Sequence, residues 1–100
     1  MNTSDADSDA RLADENRLRR ELLAKADFKA VIATAEGRRF VWRLLAESGV
    51  HQGSFASDEL VMAYREGRRS LGLWLQGLFA DFPDQYLQLL KEGRHGADKQ

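Results

Sequence analysis

Helical periodicity between residues 57 and 79 constrains the fold more than any other feature of the chain. Five apolar residues share one narrow arc at helical spacing: Leu60, Tyr64, Leu71, Leu75 and Leu78. Ser57 or Asp58 is suited to cap the start of such a helix. The pattern therefore predicts a central core helix. Met62 and Leu73 lie opposite the arc, so we expect the helix to have contacts on two faces.

The other helices are predicted from their start and stop signals. Asp27 is suited to cap a short helix, Thr34 a longer one that ends at Gly49, and Pro83 begins the last. No segment has the period-two alternation of a strand. We expect an all-α fold, a small bundle of four to five helices with disordered termini.

Composition sets the predicted domain boundaries. Residues 1–10 contain aspartates among small polar residues, which predicts a disordered acidic tail. Residues 11–92 are predicted to form the helical domain, and residues 93–100 a polar C-terminal tail. The first helix of the domain has only a thin apolar face, made by Leu12, Leu18, Leu22, Leu23 and Ala26. We expect that face to dock on the rest of the domain or on a partner.

The residue inventory excludes several classes of function. The absence of cysteine rules out disulfides, thiolate ligands and thiol nucleophiles. His51 and His95, the only histidines, lack metal-ligand spacing, so no metal and no cofactor are expected. No residues form a nucleophile–base pattern, which predicts that the protein is not an enzyme. No apolar run approaches the roughly 20 residues that cross a bilayer, and no secretory signal is evident, so an intracellular origin is expected.

Arginine and tryptophan are the strongest candidates for binding, since both are enriched at interface hot spots. Two local basic clusters consist of Arg38, Arg39 and Arg43, and of Arg65, Arg68 and Arg69. The predicted protein-interface residues are Arg38, Arg39, Trp42, Arg68, Arg69 and Leu73. Phosphate binding would use the same residue types, although interspersed glutamates weaken the positive field.

A short block of letters recurs in the chain. Residues 36–39 and 66–69 both read EGRR, and residues 92–94 read EGR. The recurrence is either a coincidence in a chain rich in arginine and glutamate or a packing feature. In the second case each glycine allows another backbone segment to approach closely, and the arginines after it form hydrogen bonds to nearby carbonyls or carboxylates. Gly67 favours the second interpretation slightly, because a glycine inside a helix costs about 1 kcal/mol relative to alanine.

Five stretches of the chain carry a family resemblance: residues 27–28 (DF), 34–45 (TAEGRRFVWRLL), 48–50 (SGV), 54–55 (SF) and 66–75 (EGRRSLGLWL). Over about residues 26–90 the chain resembles the small Bordetella-phage-type structural protein family of tailed bacteriophages, encoded among the virion genes of short-tailed phages. The resemblance implies a noncatalytic virion component, present in many copies near the portal and tail or among internal proteins released at infection.

The leading hypothesis is accordingly a virion structural protein, made in the bacterial cytoplasm and packed against other virion proteins in a symmetric assembly. One alternative is a small DNA-associated protein of the packaged genome that uses the same arginines. Another is a host-takeover factor that binds one bacterial protein.

Overall fold

A computed structural model describes residues 3–98 and consists of α-helices joined by short connections. In chain order these are α1 (Thr3–Ile32), α2 (Ala35–Ser48), α3 (Glu59–Gly77), a 3-10 turn (Leu78–Asp81) and α4 (Pro83–Asp98). That part of the chain contains no strand. The predicted all-α bundle of four to five helices is confirmed. Met1, Asn2, Lys99 and Gln100, which belong to the predicted tails, lie outside the described residues.

Local hydrogen bonds explain where α2 and α3 begin and end. The hydroxyl of Thr34 accepts from the backbone N–H of Gly37 at 3.0 Å, and Gly49 ends α2 with a φ of 71°. Asp58 begins α3, since its carboxylate accepts from the N–H groups of Leu60 and Val61 at 2.8 and 3.0 Å. The caps predicted at Thr34 and Gly49 are confirmed, and Asp58 rather than Ser57 caps α3.

Helices α1 and α4 are both longer than the sequence predicts. Residues 3–10, the described part of the predicted acidic tail, form the first turns of α1, which also passes through Asp27 without a break. The predicted cap at Asp27 is wrong: no proline or glycine precedes Gly37, and helix formation propagates where nothing interrupts it. Helix α4 continues through Gly93 to Asp98. The boundaries predicted after residues 10 and 92 therefore fall inside helices.

The hydrophobic core is small and lies where α2, α4 and the end of α1 meet. Its buried residues are Ile32, Val41, Leu45, Val50, Phe79, Phe82 and Leu89. Phe28 from α1 packs edge-on against Phe79 with ring centroids 4.9 Å apart. The ring of Tyr86 lies 5.0 Å from that of Phe79, tilted by 51°. Helix α3 contributes only Gly72 to the fully buried set, and of its predicted apolar arc Leu75 packs against the core. The prediction that α3 is the central core helix is therefore wrong for most of its arc.

The molecule is extended. Its radius of gyration is 19.0 Å, whereas a compact chain of this length has about 13 Å. The elongation has a clear source, because residues 4–27 of α1 are all exposed and only the last turns of this helix reach the core. Its thin apolar face is therefore bare where the sequence predicted a contact.

Candidate functional site

The six predicted interface residues occupy three separate places. Arg38, Arg39 and Trp42 line a groove between α2 and α4, with a volume of about 310 Å³. Arg68 and Arg69 line a second cavity beside the loop that follows α2. Leu73 lies on α3 and is absent from both linings. The structure therefore does not bring these residues together into one site.

Arg38 is committed to contacts within its own chain. Its Nε and Nη2 donate to the two carboxylate oxygens of Glu92, both at 2.9 Å, and its Nη1 donates to the carbonyl of Ile32 at 2.9 Å. These bonds hold the pKa of the Glu92 carboxyl below its ordinary value and raise the pKa of the Arg38 guanidinium. Gln88 donates a further bond to Glu92. Arg38 thus ties the end of α1 to α2 and α4.

Trp42 is half-buried between the same two helices. A Cβ atom at Gly93 would overlap its indole ring, which shows how closely α4 passes over it. The ring also lies 6.4 Å from the imidazole of His51, centroid to centroid. Arg39 stays at the exposed rim, where its ion pair with Glu36 has an N–O distance of 3.9 Å. In this groove Trp42 packs α2 against α4, whereas the exposed Arg39 side chain is held by a long ion pair.

Of the glycines in the recurrence, Gly37 admits a backbone, Gly93 admits the Trp42 side chain and Gly67 admits neither. A Cβ at Gly37 would overlap the carbonyl of Val31, so this glycine admits the end of α1, and Arg38 behind it bonds a carbonyl and a carboxylate. At Gly67 a Cβ would meet nothing within 4 Å. The close-approach interpretation is confirmed for Gly37 and wrong for Gly67.

Arg65, Arg68 and Arg69 surround the second cavity, which we call the arginine basin. Its other lining residues are polar or small, namely Ser48, Gly49, Gln52, Gly53 and Ser54, and its volume is about 220 Å³. Arg65 donates to the carbonyl of Phe55 at 3.2 Å, and the Arg68 guanidinium lies 5.4 Å from the centroid of the Tyr64 ring. Arg69 is 4.0 Å from Glu66.

Two features make the basin electropositive. No carboxylate lines it, and the buried Nε of Arg69 has no hydrogen-bond partner among the residues that the structure describes. A buried N–H without an acceptor is costly.

A bare apolar surface on α3 is not predicted by the sequence analysis. We call it the α3 face: it consists of Leu60, Tyr64, Leu71 and Trp74, whose side chains are between 61% and 83% exposed. Placing Leu60, Tyr64 and Leu71 in the core was wrong. Helix α3 instead turns its Gly72 side to α2, where a Cβ would overlap the buried Ser48 side chain. Gly72 was the signal in the sequence, since a glycine inside a helix often marks a close approach.

The α3 face continues into a groove beside α1. Ala24, Lys25 and Phe28 of α1 form one wall, and Trp74 and Phe82 lie on the other, around a volume of about 410 Å³. An ion pair of 3.0 Å between Lys25 and Asp81 spans the groove. The groove is deep enough to receive a large apolar side chain, which is how hot-spot residues bind.

Across residues 3–98 no helix is long and apolar enough to cross a membrane. Within the same span, no group of three or more His, Cys, Asp or Glu side chains could hold a metal ion.

A comparison with protein families shows which family the chain belongs to. Residues 28–91 match the model of the Bbp19-like phage proteins. The chain belongs to this family. The match covers the buried core, the arginine basin and the α3 face of this Bbp19-like protein. It leaves out residues 3–27 of α1 and residues 92–98 of α4, which supply part of the lining of the two grooves. No curated protein and no solved structure matches the chain.

Proposed function

We propose that this Bbp19-like protein is a noncatalytic structural component of the phage particle, packed against other virion proteins near the portal and tail or among the internal ejected proteins. Membership in a phage protein family supports the setting. The two groups with shifted pKa values, Arg38 and Glu92, are partners in one ion pair. That pair explains both shifts without any catalytic role.

The observation that carries the proposal is the amount of bare surface. The accessible surface is 7944 Å², whereas a compact monomer of 11.3 kDa exposes about 5,700 Å². The difference, about 2,200 Å², exceeds the roughly 800 Å² that one partner contributes to a standard interface. Among the described residues, fifteen large hydrophobic side chains are exposed, so the bare surface includes apolar area. Such surface is typical of a subunit that is completed by its neighbours.

The α3 face is the part of this surface best suited to a protein partner. Its aromatic and leucine side chains lie in one row, and the groove beside Trp74 adjoins its end. A partner that places an apolar side chain in the groove and covers the row would bury a continuous core of contacts. In a symmetric particle the same contact would recur in every copy.

Paired substitutions on α3 test the proposal. Leu71 lies in the α3 face and is 63% exposed, while Leu73 is 43% exposed on another side of the same helix. Each is replaced by glutamine in the phage genome, and the amount of the protein is measured in gradient-purified particles. We expect L71Q to be depleted several-fold and L73Q to be retained. Equal incorporation of L71Q and wild type would overturn the role of the α3 face, and selective loss of L73Q would move the interface to the predicted residue Leu73.

The arginine basin favours a second candidate function, association with the packaged genome. Three arginines around a cavity without a carboxylate would suit a backbone phosphate. This candidate predicts DNA binding that weakens steeply between about 50 and 200 mM salt and is reduced in R68Q/R69Q. Binding that is undetectable at low salt would remove it and leave the first proposal intact.

A further inference from the structure

Most of α1 lies outside the core, and the links of its C-terminal end to the rest of the fold include the Lys25–Asp81 ion pair and the packing of Phe28 on Phe79. Residues 4–27 are exposed along their whole length, which corresponds to about 36 Å of helix. A solitary helix of this kind is only marginally stable in water. A partner would therefore stabilise it. This segment lies outside the family match, so the partner need not be a property of the family.

Its apolar side chains form a narrow face. Leu12, Leu18, Leu22 and Leu23 fall within an arc of about 140° on the helix, and each is at least 54% exposed. Glu15 and Arg19 lie inside that arc. Neither forms an ion pair within the residues that the structure describes. The face is thus made of leucine with Glu15 and Arg19 near its centre, and Arg11 also falls inside the arc.

The charges of α1 are divided between its two halves. Residues 4–15 carry five carboxylates and one arginine, whereas residues 16–29 carry five basic side chains and two acidic ones. Two such helices repel when they lie parallel, because the acidic halves then meet. They attract when they lie antiparallel, because each acidic half then meets a basic half.

We propose that α1 pairs antiparallel with α1 of a second copy of the chain. With the two-fold axis beside residue 17, Leu12 faces Leu22 of the second copy and Glu15 faces Arg19 of the second copy. Two-fold symmetry makes each contact twice. The leucines supply the buried apolar area, and the Glu15–Arg19 contacts set the register, as polar residues do in the seam of a coiled coil.

The test is a charge exchange measured by sedimentation equilibrium on the full chain. E15R places two arginines opposite each other on both sides of the two-fold axis, so the dimer should weaken about tenfold. R19E should weaken it similarly. E15R/R19E restores opposite charges across the axis, so its dissociation constant should return to within about threefold of the wild-type value.

A matched control separates pairing from a general change of charge. Glu21 lies on the other side of α1, outside the leucine arc, so E21R should leave the dimer unchanged. All four variants alter exposed residues, and circular dichroism checks that they fold. A wild-type chain that stays monomeric at about 100 µM would overturn the proposal and leave the leucine face to another virion protein. Failure of E15R/R19E to restore pairing would overturn it equally.

Discussion

Adding a single methyl group at Gly93 tests the contact that joins α2 to α4. The Cβ of an alanine there would overlap three atoms of the Trp42 indole. Trp42 packs against the buried core and cannot move aside without losing those contacts. The two helices must therefore separate, or the indole must leave its position.

The expected cost follows from two opposing effects. Overpacking of a well-filled contact costs about 1–3 kcal/mol, and alanine gains about 0.5–1 kcal/mol over glycine inside a helix. We expect G93A to lower the free energy of unfolding by about 1–2 kcal/mol, which is a fall in Tm of about 5–10 °C for a domain of this size. G67A is the matched control, because a Cβ at Gly67 meets nothing within 4 Å. It should raise stability by about 0.5–1 kcal/mol.

Urea denaturation followed by circular dichroism measures both variants. Trp42→Phe, added to G93A, should recover part of the loss, because the smaller ring relieves the overlap. A G93A variant that is as stable as G67A would refute the close packing of α4 on Trp42.

Three further substitutions test other contacts. Arg38 lowers the pKa of Glu92, so the ion pair stabilises the fold at pH values above 4.5, the ordinary pKa of the carboxyl, and this stabilisation is lost as the pH falls through the lowered pKa. E92Q should therefore lower Tm at pH 7 and make Tm fall less steeply below about pH 4.5. A dependence of Tm on acid pH that is the same as in the wild type would contradict this. G49A forces alanine into a φ of 71° and should cost about 1–2 kcal/mol in urea denaturation, whereas equal stability would place the end of α2 elsewhere. D58A removes the cap of α3 and should cost about 1 kcal/mol by the same assay; no loss would show that α3 frays at its start.

Features set by neighbouring residues could be predicted from the sequence. The Thr34 and Gly49 ends of α2 depend on hydrogen bonds and backbone angles within a few residues, and both were predicted. Pro83 was likewise placed at the start of α4. The continuation of α1 through Asp27 was not predicted. Aspartate is common at helix caps but is also tolerated at exposed positions inside a helix, so its presence does not distinguish the two.

Features set by distant contacts could not be predicted. Periodicity showed that α3 has apolar residues on more than one side, but only the approach of α2 at Gly72 decides which side is buried. Arg38 was chosen as an interface residue because of its type. Its carboxylate partner, Glu92, lies 54 residues away, so no local pattern could show that the guanidinium is already occupied.

The central claim is that the surface left bare by this fold is covered by other proteins in the phage particle. Quantitative mass spectrometry of gradient-purified virions, before and after genome ejection, tests it most directly. The account predicts the protein in intact virions at a fixed ratio to the other structural proteins, remaining with the particle if it belongs to the portal and tail, or leaving with the genome if it is ejected. Its absence from intact virions would contradict the account.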